Sequence, residues 1–189
     1  MNAKVAGALL ACSLALREPF QSQSISIVGF SLGNQVTKTC LKTLAELGAN
    51  DVIQNVTFLG AAIARPDRAK TRQKMASVFS QTINGELKQV YTKNDWILAT
   101  FYTVSELELA MGRHDCFEEQ FIDDRRTNLL GEHERFGFLN AIANPNEDVF
   151  RITNYDIYSL NSSWFMTGIG HRSYRSNLAL ILQHINFNH

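Results

Sequence analysis

Apolar positions along the chain alternate between helical and extended spacing. Residues 2–17 carry Val5, Leu9, Leu10 and Leu14 among the small residues Ala3, Ala6 and Gly7, a pattern that predicts a buried helix packed closely on a sheet and ended at Glu18-Pro19. Residues 24–29 (Ser-Ile-Ser-Ile-Val-Gly) predict a short buried strand. Val36, Cys40, Leu41, Leu44 and Leu47 recur at intervals of three and four, which predicts an amphipathic helix over 33–47 capped by Gly48. A second strand is expected at 55–60, a polar helix from Ala64 to about Phe79, and a third strand at 87–92. Residues 97–111 predict a helix or lid-like segment. A fourth strand is expected within 149–160, and a closing helix over 171–187 with Leu178, Leu180, Ile181, Leu182 and Ile185 facing inward. The order α-β-α-β-α-β-(insert)-β-α implies an α/β fold with a mainly parallel sheet covered on both faces.

The whole chain, 1–189, reads as one domain. Residues 112–147, with Glu118-Glu119 and Asp123-Asp124-Arg125-Arg126, read as a charged surface insert. The 18 basic and 18 acidic residues cancel, so there is no electrostatic pull toward nucleic acid or an anionic membrane. The apolar run Val5–Leu16 is too short to span a bilayer, which needs about 20 residues. Three cysteines, Cys12, Cys40 and Cys116, form no CxxC pair. An odd count without such a pair argues against a disulfide framework or zinc knuckle and for a reducing, intracellular compartment. Cys12 and Cys40 are expected to be buried. None of the five histidines has metal-ligand spacing with a second histidine or cysteine, and no cofactor or metal is implied.

Gly29-Phe30-Ser31-Leu32-Gly33 matches G-x-S-x-G between a predicted strand and a predicted helix, the setting of a nucleophile elbow in an α/β-hydrolase fold. There a serine sits on a tight turn and the helix N-terminus faces the reaction centre. The Leu32 amide would then be one oxyanion donor. In that fold the acid follows the serine and the histidine comes last. Asp95, just after the third strand, is the candidate acid; the competing role for it is the N-cap of the next helix. His171, after Gly168-Ile169-Gly170, is the candidate base, against a capping or exposed histidine. His114 and His133 fall in the charged insert, and His184 and His189 at the end of the last helix.

The stretches Ala3–Gly7, Ile25–Gly33, Asn55–Ala61, Val90-Tyr91-Thr92-Lys93-Asn94-Asp95-Trp96-Ile97-Leu98 and Gly170-His171-Arg172-Ser173-Tyr174 resemble the transmembrane-and-coiled-coil-domain family of α/β-hydrolase-like proteins, a group labelled as a domain of unknown function. The resemblance implies a serine-hydrolase-type triad on Ser31, Asp95 and His171, and an association with membrane or lipid, intracellular and peripheral to an organelle membrane. The hydrolase fold sets several strands, and a loop with a second oxyanion donor, ahead of the nucleophile strand. This chain opens on the helix before that strand, so a partial fold is expected. More chain, or partner chains, would complete or cover the sheet edge. Two functions follow: an ester or lipid hydrolase working through Ser31, or a catalytically inactive, hydrolase-derived structural subunit of a larger assembly. Ligand binding without turnover is a third.

Overall fold

The computed structural model of the protein describes residues 2–17, 23–50, 52–66, 68–103, 109–113, 151–156 and 171–187. Four strands, β1 (Ile25–Phe30), β2 (Ile53–Leu59), β3 (Glu86–Tyr91) and β4 (Arg151–Asp156), lie in sequence order in one sheet, and every pairing is parallel. Parallel neighbours need long crossovers. Here α2 (Gly33–Leu47) joins β1 to β2 and α3 (Ala69–Thr82) joins β2 to β3, with α1 (Ala3–Ala15) ahead of β1. After β4 come the single turn α4 (Ser173–Ser176) and α5 (Leu178–His184).

The period of two along the strands sorts side chains onto two faces. Val56, Phe58, Leu87 and Ile152 share a core with Leu41 and Leu44 of α2 and Phe79 of α3. Leu59 and Val90 point the other way and pack with Tyr174, Ile181 and Ile185 of the C-terminal segment. On that second face the buried Lys88 donates to the carbonyls of Ile185 (2.7 Å) and Asn186 (3.0 Å) and pairs with Glu86 (2.7 Å). A cation at a helix C-terminus satisfies carbonyls left without intrahelical donors, and so it ties α5 down on the sheet.

Several expectations are corrected. The first helix packs chiefly on α2 and has one exposed face. Gly7 makes the close approach possible: a Cβ there would lie 2.5 Å from the Val36 carbonyl oxygen. Val5, Leu9 and Leu16 point outward, and Cys12 on the same side is exposed, whereas Cys40 is buried; Cys116 lies outside the described residues. Leu47 and Trp96 are exposed too, and Asn34 and Thr37 are buried on α2 where the apolar stripe gave no sign of them. Gly48 caps α2 in the left-handed conformation, as expected.

The third helix begins at Ala69 and not at Ala64, because Ala64 bridges Ala110 and the Arg65 N–H donates to Leu109 O. The expected helix over 97–111 is helical at 96–103, with a π-helical stretch at Leu98–Tyr102. Residues 109–113 then run beside 61–65 and end in the 3₁₀ turn Met111–Arg113. Gly112 is buried in that turn, although the charged insert was expected to start there; the rest of the insert lies outside the described residues, with His114, His133 and also His189. The closing helix is broken at Asn177, and Leu178 and Leu180 are exposed while Ile181 and Ile185 face inward. Among the described residues β1 forms one edge of the sheet and is paired only with β2. No described helix is long and apolar enough to cross a membrane.

Candidate functional site

Ser31 follows β1 directly and precedes α2, with φ 52°. A non-glycine residue in the left-handed region costs on the order of 1–3 kcal/mol and persists where its surroundings over-determine it. They do so here. The Ser31 N–H donates to Leu59 O (3.0 Å), and its carbonyl accepts from the N–H groups of Asn34 (3.1 Å) and Ala62 (3.2 Å). The two glycines of the motif are unequal. A Cβ on Gly29 would lie 2.2 Å from Asn34 Oδ1, whereas one on Gly33 would meet nothing within 4 Å. The requirement for a small residue is therefore local to Gly29, and the space at Gly33 is open. Leu32 and Gly33 head α2, and among the described residues their N–H groups have no acceptor. Free amides at a helix N-terminus favour a negative charge.

Asp95 is fully buried just beyond β3. The turn that carries it is closed by Asp95 N–H to Thr92 O (3.2 Å) and Asn94 N–H to Thr92 Oγ1 (3.3 Å). Its carboxylate has two partners. Oδ1 accepts from the Leu98 N–H at 3.0 Å, and Oδ2 lies 2.7 Å from His171 Nδ1. The cap bond and the contact to His171, which the sequence set in competition, are thus made by one oxygen each.

His171, 7% exposed, opens the C-terminal segment. Its Nε2 lies 2.6 Å from Ser31 Oγ. A carboxylate accepts and does not donate, so a neutral ring paired with a carboxylate would point Nδ1–H at Asp95 and turn the Nε2 lone pair to the serine hydroxyl. The ring is held from two sides: Phe30 stacks on it with centroids 4.9 Å apart, and Tyr174 meets it edge-on at 6.3 Å. Tyr174 is fully buried and packs on Gly60, where a Cβ would lie 3.0 Å from the ring.

The structure thus brings Ser31, His171 and Asp95 into one contact chain, from segments 64 and 76 residues apart in sequence. The sequence reading gave no part to Asn34, Phe30 or Tyr174, although Phe30 stands within the G-x-S-x-G match and Tyr174 within a segment of the family resemblance; for Asn34 the only signal was position, a helical turn after the serine. Among the described residues no group of three His, Cys, Asp or Glu side chains could hold a metal ion, and His184 sits in α5 without joining the site.

Residues 1–119 match the model of a family described as protein of unknown function (DUF726); the matched span includes Ser31 and Asp95 and ends before His171. An uncharacterized membrane protein of Schizosaccharomyces pombe is 32% identical over 103 residues, 54% of this chain and 17% of that protein. A transmembrane and coiled-coil domain-containing protein of Oryza sativa subsp. japonica is 31% identical over 88 residues, 46% of this chain and 12% of that protein. The chain thus spans less than a fifth of the length of either relative. No solved structure matches. Since the family match takes in 119 of 189 residues, the chain belongs to this DUF726 family.

Proposed function

We propose that the chain is a serine hydrolase of α/β-hydrolase type acting on esters, with Ser31 as nucleophile, His171 as general base and acid, and Asp95 as the group that orients His171. The observation that carries this is the contact chain Ser31 Oγ–His171 Nε2 (2.6 Å) and His171 Nδ1–Asp95 Oδ2 (2.7 Å), held at a serine with φ 52°. Nucleophile, base and orienting acid within hydrogen-bond reach are the geometric signature of such a site.

In the first half-reaction Ser31 Oγ bonds to the acyl carbon while His171 Nε2 takes the hydroxyl proton. The carbonyl π pair moves onto oxygen, where the Leu32 N–H faces it. Collapse of that intermediate breaks the bond to the alkoxy oxygen, which leaves with the proton from His171. Water then attacks the acyl-Ser31 ester with His171 again as base, releasing the acid and restoring the serine. Leu32 (60% exposed) and Trp96 (57% exposed), beside the nucleophile and the acid, favour an apolar acyl group such as that of a lipid ester. The relatives named as membrane and transmembrane proteins favour a place at a membrane, and no described helix could span it.

A second reading, a non-catalytic subunit of a larger assembly, is favoured by the edge of β1 that no described strand pairs and by the outward Val5, Leu9 and Leu16. Unpaired edges and exposed apolar patches call for a cover, supplied by further chain or by a partner. Fluorophosphonate labelling of the full chain tests between the two. Labelling that is lost in Ser31→Ala supports the hydrolase; a folded protein that stays unlabelled supports the subunit.

A further inference from the structure

We infer that Asn34 is a positioning residue for the nucleophile: it locks the strained elbow from both sides, and it is held there at the expense of one unpaired buried oxygen. The inference rests on the hydrolase reading of Ser31. Asn34 lies in the first turn of α2 and is fully buried. Its backbone N–H donates to the Ser31 carbonyl at 3.1 Å. Its side-chain Nδ2 donates to the Leu59 carbonyl at 2.9 Å, the same oxygen that receives the Ser31 N–H at 3.0 Å. One residue therefore grips the acceptor of the Ser31 amide and the Ser31 carbonyl together. A carbonyl oxygen has two lone pairs, and at Leu59 both are used to tie the end of β2 to the elbow.

The carboxamide orientation follows from this bond, since the opposite one would set oxygen against oxygen. Asn34 Oδ1 is then left against Gly29, where a Cβ would lie 2.2 Å away, and no described residue donates to it. Buried acceptors without a donor are uncommon and disfavour the folded state. An apolar side chain of similar volume would fill the place with no such oxygen. What the asparagine adds is the donor to Leu59 O. That donor fixes the turn in which Ser31 keeps φ 52° and Oγ stays within 2.6 Å of His171 Nε2. Asn34 makes no hydrogen bond to a triad side chain, so its effect on chemistry passes through the backbone of Ser31.

The test is the kinetics of fluorophosphonate inactivation of the full chain, resolved into the maximal rate (kinact) and the half-saturating probe concentration (KI), beside thermal unfolding. The variants are Asn34→Ala and Asn34→Leu, with Leu44→Ala as a control that weakens the same helix away from the elbow. Misplacing a reacting group by about 1 Å costs up to about 100-fold, so kinact in the folded Asn34 variants should fall about 10- to 100-fold. KI should stay where it is, because the probe's binding surface is untouched. Leu44→Ala should lower the unfolding temperature and leave kinact per folded molecule unchanged. Asn34→Leu, which removes the unpaired oxygen and keeps the volume filled, should unfold at or above the temperature of Asn34→Ala. An unchanged kinact in either folded Asn34 variant would overturn the inference and leave the hydrolase reading intact. Wild-type protein that is folded and unlabelled would overturn both. Loss of folding in both Asn34 variants, with Leu44→Ala folded, would assign Asn34 to the fold and overturn its positioning role.

Discussion

The two bonds of the Asp95 carboxylate can be separated by substitution. In Asp95→Asn the side-chain oxygen can still accept from the Leu98 N–H, now 3.0 Å away, so the cap survives. The amide nitrogen then faces His171 Nδ1, from which Oδ2 is now 2.7 Å distant. That nitrogen only donates. Nδ1 must therefore accept, the ring proton moves to Nε2, and Nε2–H points at Ser31 Oγ with no lone pair to take its proton. Both hydrogen bonds remain in number, so stability should change by less than about 1 kcal/mol. The wrong tautomer in a triad of this kind costs on the order of 10⁴-fold in rate, about 5 kcal/mol of barrier. Asp95→Ala should behave differently. It loses the cap, about 0.5–2 kcal/mol, and leaves the buried ring N–H without an acceptor, about 1–3 kcal/mol. A total of about 1.5–5 kcal/mol would lower the unfolding temperature by roughly 3–20 °C in a chain of this size. The assay pairs the rate of fluorophosphonate inactivation with thermal unfolding of the same samples. Inactivation of Asp95→Asn within about tenfold of the wild-type rate would refute the orienting role and reduce Asp95 to a helix cap.

Two further outcomes follow from the same geometry. Ser31→Gly should unfold above Ser31→Ala: both lack the hydroxyl, but glycine relieves a positive-φ cost of about 1–2 kcal/mol and loses only about 0.5–1 kcal/mol in chain entropy. The order is opposite to that at ordinary positions, and thermal unfolding of the two variants decides it; alanine at or above glycine would remove the strain argument. Burial, with the nearby Cys12 thiol a lesser cause, pushes the Cys40 thiol up to about 12. It should therefore resist iodoacetamide at pH 8, while the exposed Cys12 is modified in the native protein. Peptide mapping of alkylated protein, native and in denaturant, checks this, and equal native labelling of the two would contradict it.

What the sequence made legible was whatever depended on side-chain type at a fixed spacing. The G-x-S-x-G match, the strand before it and the amphipathic helix after it located Ser31, and the strand order located Asp95 at the carboxyl end of β3. All four strands and their parallel pairing were readable from short apolar runs alternating with helical ones. The errors lie where context overrides spacing. Residues 64–66 look like a helix start, but Ala64 and Arg65 are drawn out against Leu109 and Ala110. An apolar stripe marks where a helix can bury a face, not how much partner there is to cover it. On α1 one face is covered by α2, and Val5, Leu9 and Cys12 remain outside. Asn34 escaped because a polar residue in the first turn of a helix is ordinarily solvated. Its burial depends on the end of β2, 25 residues away in sequence.

The segment that unites the site carries no candidate chemical group at all. Residues 60–62, just past β2, reach the segments of Ser31, Asp95 and His171 through their backbone. The Ala62 N–H donates to the Ser31 carbonyl at 3.2 Å. The Gly60 N–H donates to Val90 O at 3.0 Å, which holds the end of the strand that leads to Asp95. The Ala61 carbonyl accepts from the Gly112 N–H at 2.9 Å, while the Gly112 carbonyl accepts from the Thr92 N–H in the Asp95 turn at 3.4 Å. Gly60, with φ 47°, presents a bare surface to the ring of Tyr174, three residues beyond His171. A side chain at Gly60 would crowd the histidine arm, and one at Gly112 would place its Cβ 2.1 Å from the Ala61 nitrogen. The segments that carry Ser31, Asp95 and His171 thus each meet these three small residues just past the end of β2. The contacts at 2.6 and 2.7 Å thus rest in part on backbone packing at the carboxyl end of a central strand. A search of the sequence for nucleophiles, acids and bases passes over such residues, because what matters in them is the absence of a side chain.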